Sequence, residues 1–266
     1  MLRNVLLKTL RDYRRSLLWW GIGLAAYTTI ELLFYPSFRD FPGLNDMVRQ
    51  FPKELMALFA GDVASFFSPE GFLRAQLFFL FVPLLFIVFA AAFGSGAIAG
   101  EEARGTLDLL LAHPIARWQV VLHKFGAMAL STLALGGIFW LALAATTVAV
   151  GMEVSPWRLA QATLSVVLLA LAFGSIALAL GCATGNRSLS LGLTAAPALG
   201  AYLLNALAPV VEALQPYQKL SPFYWYIGSD PLVQGLDPLH VASLLGLALG
   251  ALALGLIAFE RRDVAV

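Results

Sequence analysis

Few side chains in this sequence could do chemistry, and their spacing narrows what that chemistry is. The densest group is Glu101, Glu102, Arg104, Gly105, Thr106, Leu107, Asp108, Leu110 and Leu111, set between two apolar stretches. Charges at its start and leucines at 107, 110 and 111 predict a short helix with one polar and one apolar side, stopped by Pro114. Acids in the first turn of such a helix favour its dipole. A charged, Leu-faced helix has the shape to lie in a partner's groove; the plainer alternative is a surface helix that only turns the chain. Glu31 is the one clearly ionisable residue inside an apolar run. Charge within hydrocarbon is costly and points to function, although Glu31 lies only four residues from Tyr35 and could reach the outer interface. His113, His123 and His240 do not cluster, and a lone Cys182 allows neither an intrachain disulfide nor a multi-cysteine metal site.

Missing motifs matter as much. The pair Gly-Lys never occurs, so there is no G-x-x-x-x-G-K-[ST] loop to cradle ATP phosphates. H-E-x-x-H and G-x-S-x-G are absent as well. No cofactor is expected on this chain, and nothing asks for a catalytic site. Net charge is +1, from 17 basic and 16 acidic residues, without the basic face that nucleic acid requires.

The elements that carry these residues follow from composition. Of 266 residues, 60% are apolar and 12% charged, with a mean hydropathy of +0.81. Soluble domains carry about 25% charged residues, so this chain has too few polar groups to cover a water-facing surface, and lipid is its solvent. Six apolar runs reach the length that crosses about 30 Å of hydrocarbon: 17–35, 75–99, 125–150, 159–183, 189–211 and 241–259. Backbone amides in hydrocarbon must pair internally, so these are helices. The expected fold is an all-α polytopic membrane protein, a single transmembrane domain over 1–266. Within it, residues 1–16 form an interfacial helix, with Leu2, Val5, Leu6, Leu10 and Tyr13 on one side and Lys8, Arg11, Asp12 and Arg15 on the other. Pro83, Pro197 and Pro209 mark kinks, and Gly246-x-x-x-Gly250, with Gly94, Gly96 and Gly100 at the end of the second run, offers close helix contacts.

Orientation follows the basic residues. With the first residue inside, Arg3, Lys8, Arg11, Arg14, Arg15, Arg104, Arg117, Lys124, Arg187, Arg261 and Arg262 are cytoplasmic, and the other six basic residues are outside. Both termini and 100–124 are then cytoplasmic, and 36–74 and 212–240 form outer segments. The first outer segment predicts an amphipathic helix with Leu44, Met47, Val48, Phe51, Leu55 and Leu58 on one side. The second, broken by prolines and rich in aromatics around 220–232, predicts short helices dipping back into the interface.

The inner loop from Gly100 to Arg117, with its acid pair, Gly-Thr, leucine run, proline and arginine, resembles the signature of permease subunits of type-2 ATP-binding-cassette exporters. Residues 54–69, 220–232 and 259–263 resemble that family's first outer loop, last outer loop and C-terminal end. The resemblance implies six spans, a second permease subunit completing a homo- or heterodimeric pore, and two separate ATPase subunits that supply ATP and Mg chemistry. It places ATPase coupling on Glu101, Glu102, Arg104, Gly105, Thr106, Leu107 and Asp108, to which the apolar face adds Leu110 and Leu111. It also implies the inner, cytoplasmic membrane. Two other readings stay open: a self-contained channel or ion-coupled carrier, for which Glu31 would be indispensable, and a membrane scaffold or immunity protein that binds a partner without transporting.

Overall fold

A computed structural model of the chain describes residues 5–39, 68–107 and 115–262. The amphipathic helix expected around 44–58 lies outside them. Every regular element among the described residues is helical. Among the described residues six helices are long and apolar enough to cross a membrane. Their principal segments are α1 (Val5–Leu33), α2 (Phe81–Ala97), α3 (Arg117–Ala149), α4 (Pro156–Thr184), α5 (Arg187–Leu207) and α6 (Pro238–Arg261).

No break separates the amphipathic start of the chain from its first apolar run. α1 contains no proline, and its 29 residues extend about 43 Å at 1.5 Å per residue. That exceeds the hydrocarbon thickness, so the turns bearing Lys8, Arg11, Asp12, Arg14 and Arg15 continue the spanning helix beyond it. α3, with 33 residues, overhangs in the same way at the end where it begins.

Proline and serine set the entry to α2. Ser68 accepts from the Gly71 amide at 3.0 Å, and Pro69 occupies the first turn of the short helix Pro69–Leu73, where its missing N–H costs nothing. A π turn follows over Arg74–Phe78, with the Phe79 amide bonded to the Arg74 carbonyl at 2.7 Å. Pro83 accounts for the interruption: it cannot donate to the Phe79 carbonyl, and its ring crowds that group, so the ladder loosens one turn earlier.

α4 is the centre of the bundle. It is apolar on all sides and the most buried of the six, as a helix surrounded by helices should be. Three neighbours reach it through glycines. A Cβ on Gly94 of α2 would stand 2.3 Å from the Gly174 carbonyl oxygen, one on Gly136 of α3 would stand 2.6 Å from Val167 Cγ2, and one on Gly255 of α6 would stand 2.9 Å from Ala179 Cα. Hydrogen side chains let backbones meet where lipid offers no hydrophobic push. Gly246 and Gly250, the pair singled out in the sequence, make no such contact: nothing lies within 4 Å of either Cβ position. α6 turns Leu244, Ala248, Leu252 and Gly255 inward, which leaves Gly246 and Gly250 on its outer side.

At the end of the bundle remote from residues 5 and 262, the aromatic segment folds back. Residues 212–220 form a 3₁₀ helix and Pro222–Ile227 a short α-helix. Ser221 caps the latter by accepting from the Phe223 amide, and donates to the Ala201 carbonyl at 2.7 Å. Tyr226 is buried and donates to the Phe78 carbonyl, at the π turn, at 2.7 Å. Burial holds its phenol well above the usual tyrosine range, against the opposing charge of Arg74, so it remains a donor. Arg74 pairs with Asp230 at 3.1 Å.

Candidate functional site

The acid pair and its surroundings lie at the end of the bundle where α1 and α3 begin and α4 and α6 finish. Beyond α2 the chain bends at Ile98 and continues as the helical turn Ala99–Glu102. It stops at Gly105, whose φ of +64° is cheap only for glycine. The Thr106 amide bonds to the Glu101 carbonyl and the Gly105 amide to that of Glu102, both at 2.9 Å. This is the double closure that ends a helix. The expected helix starting at Glu101 and running through Gly105 is therefore corrected: Glu101 and Glu102 end the short helical turn that follows α2 past the bend at Ile98.

Acids at a helix C-terminus oppose its dipole, so the fold supplies cations. Glu101 pairs with Lys124 of α3, their side chains being 7% and 4% exposed. The second carboxylate oxygen of Glu101 is buried with no hydrogen-bond partner. Glu102 pairs with Arg262, just beyond α6, at 17% and 18% exposure. Arg262 also donates to the Cys182 carbonyl near the end of α4, at 3.1 Å. Arg117, opening α3, donates to the carbonyls of Phe259 and Arg262 at 3.2 and 2.7 Å, with its guanidinium 5.7 Å from the Phe259 ring centre. The ends of α2, α3, α4 and α6 are thus tied by one polar network. Beneath it Leu107 is 1% exposed, packed in a cluster with Val120, Val121, Cys182 and Phe259.

The coupling residues named from the sequence therefore divide. Glu101, Glu102 and Leu107 face inward and hold helix ends together. Arg104 and Gly105 are exposed, and Thr106 is half-buried with its hydroxyl on the Glu101 carbonyl at 3.1 Å. Asp108, Leu110 and Leu111 lie outside the described residues. Glu31 sits apart from all of these, at the far end of α1. It is half-buried, one turn from Tyr27, whose hydroxyl donates to the Gln76 carbonyl at 3.2 Å.

Sequence reading did not foresee Lys124, Arg117 and Arg262 as partners in this network, having taken them as topology-setting cations and, for Arg117 and Arg262, as parts of the family resemblance. It also missed a groove of about 660 Å³ between α2 and α5. Leu84, Val88 and Ala92 line one wall and Leu191, Ala195 and Leu199 the other. Tyr202 and Phe223, edge to face at 5.5 Å, stand at the end remote from the ion-pair network. Thr194, the one hydroxyl-bearing aliphatic on the walls, donates to the Ser190 carbonyl at 2.7 Å, so it adds little polarity.

Five long apolar helices around a buried central one, a polar network at one end and an apolar groove along one side define a multi-pass membrane transport subunit. A family model described as ABC-2 family transporter protein matches residues 3–264. The chain belongs to that family and is a membrane permease component of an ABC transporter. No curated protein was found to match it.

Proposed function

We propose that the chain is the permease half of an ATP-driven exporter in the inner membrane. Its groove, faced by that of a second permease subunit, is the translocation path. Two ATPase subunits dock on the cytoplasmic side, which is the end bearing the ion-pair network. The observation that supports this most is mechanical. One wall of the groove is α2, and past the bend at Ile98 the chain continues into the turn at Gly105, where ion pairs join it to α3 and to Arg262 at the end of α6, and Arg262 in turn bonds to the Cys182 carbonyl of α4. A push on the segment beyond Gly105 is then delivered to the groove wall, because packed helices shift as units and do not deform continuously. Nucleotide closing the ATPase pair supplies the free energy that favours one groove arrangement over the other.

In this reading Glu101, Glu102 and Leu107 are positioning residues, and contact with the ATPase falls to the exposed Gly105 turn and to Asp108, Leu110 and Leu111. The test is co-purification of ATPase subunits with tagged permease. Asp108→Arg combined with Leu110→Ala should leave a stable permease that loses its ATPase and ATP-dependent transport. Wild-type ATPase retention and transport by that variant would defeat the proposal.

A further inference from the structure

The groove takes its character from its cytoplasmic mouth as much as from its walls. Following α2 from Leu84 through Val88 and Ala92, the next position on that side is Gly96, and Gly100 follows in the turn past the bend at Ile98. One turn before Leu191 on α5 is Arg187. The two helices face each other here: the Cβ position of Gly96 lies 3.7 Å from Arg187 Nε and 3.0 Å from the Tyr13 hydroxyl of α1. The Cβ position of Gly100 lies 3.7 Å from Arg104 Nη1 and 3.9 Å from Arg187 Cδ. Two arginines therefore cross the same glycine surface beside a tyrosine hydroxyl.

Among the described residues, neither Arg104 nor Arg187 makes a hydrogen bond or ion pair. The nearby Glu101 and Glu102 are taken up by Lys124 and Arg262, and Asp12, also in the field of this cluster, stands on the exposed side of α1. Arg187 is moreover the first residue of α5, where the helix dipole is itself positive. Two guanidinium groups and a helix N-terminus, with no acid paired to them among the described residues, repel one another. The arrangement becomes favourable when an acidic group joins it, and guanidinium groups suit a phosphate or carboxylate better than any other side chain does.

From this apolar groove with a cationic mouth we infer that the occupant is an amphiphile with an acidic headgroup. Its chains lie between α2 and α5, and its phosphate or carboxylate sits on Arg104, Arg187 and the Tyr13 hydroxyl. The inference rests on the reading of the groove as the pathway, and on that reading it names the class of cargo.

The test uses the full purified chain and native mass spectrometry, with phosphatidylglycerol and phosphatidylcholine of identical chains as probes. Wild type should hold phosphatidylglycerol about tenfold more tightly, which is about 1.4 kcal/mol. Arg104→Gln with Arg187→Gln should bring the two lipids within about twofold of each other. Arg104→Lys with Arg187→Lys should keep most of the preference, and Arg14→Gln with Arg15→Gln, which removes equal charge elsewhere, should keep all of it. Leu84→Trp with Ala195→Trp, filling the groove, should weaken both lipids. Millimolar inorganic phosphate should displace neither. An unchanged preference in the Arg104/Arg187 glutamine variant overturns the inference, and so does displacement by free phosphate. ATPase retention and transport are read separately. Loss of headgroup preference in the glutamine variant, with transport unaffected by groove filling, would sink the pathway reading and leave the headgroup site standing.

Discussion

Removing one member of the Glu101–Lys124 pair should be far more damaging than removing both. The side chains are 7% and 4% exposed, and among the described residues Lys124 is the only side-chain partner of a carboxylate whose second oxygen has none. Lys124→Met leaves Glu101 charged in an apolar surrounding or forces it to take up a proton. Loss of one partner from a buried pair costs about 3–5 kcal/mol. At about 2–4 °C per kcal/mol for a chain of this size, apparent Tm in detergent should fall by about 6–20 °C. Glu101→Gln should fall within the same range. Glu101→Leu combined with Lys124→Leu replaces two charges by packed methyl groups and should recover most of the loss, because such exchanges are often neutral. Glu102–Arg262 is the internal comparison. It is more exposed and better screened, so Glu102→Gln should cost less than Glu101→Gln. Equal shifts for the single and double variants, or none for either single, would refute the idea that this pair is a buried joint between α2 and α3.

Gly94→Val should abolish folded monomer in detergent, since a side chain there meets the Gly174 carbonyl at 2.3 Å, whereas Gly246→Val should leave monomer stability unchanged; equal effects in size-exclusion and thermal assays would contradict the packing described. Tyr226→Phe, which orphans the Phe78 carbonyl, should lower stability by about 1–3 kcal/mol, seen as a fall in apparent Tm. Glu31→Gln should leave assembly intact and transport nearly so; complete loss of transport in a stable variant would favour an ion-coupled carrier. Single cysteines placed in a Cys182→Ala background test orientation: an impermeant thiol reagent on intact cells should label Lys219→Cys and spare Ser188→Cys, and the reverse pattern would invert the topology.

Several features were legible because they depend on local composition. Runs of about twenty apolar residues report the solvent around a helix, and the six runs correspond to six long helices. Serine or aspartate before a proline marks a helix start at Ser68, Ser221 and Asp237 for reasons contained within four residues. The kink near Pro83 follows from its missing N–H. Gly105 also stood in the sequence as a potential terminator, but the charges at Glu101 and Glu102 drew the helix start to the wrong side of it. Hydropathy marks where hydrocarbon ends, while a helix ends where its hydrogen-bond ladder closes, and here helical bonding resumes past the bend at Ile98 and closes only at Gly105. What those charges touch could only be decided in three dimensions. Lys124 is 23 positions from Glu101, and Arg262 is 160 from Glu102; both stood in the sequence as ordinary flanking cations. The glycines show the same limit. Of the small residues the sequence offered, Gly94 makes a close backbone contact while Gly246 and Gly250, despite their favoured spacing, do not, and Gly136 and Gly255 make contacts that no spacing marked, because contact depends on which side of each helix turns toward α4, and that is settled by the packing of all six together.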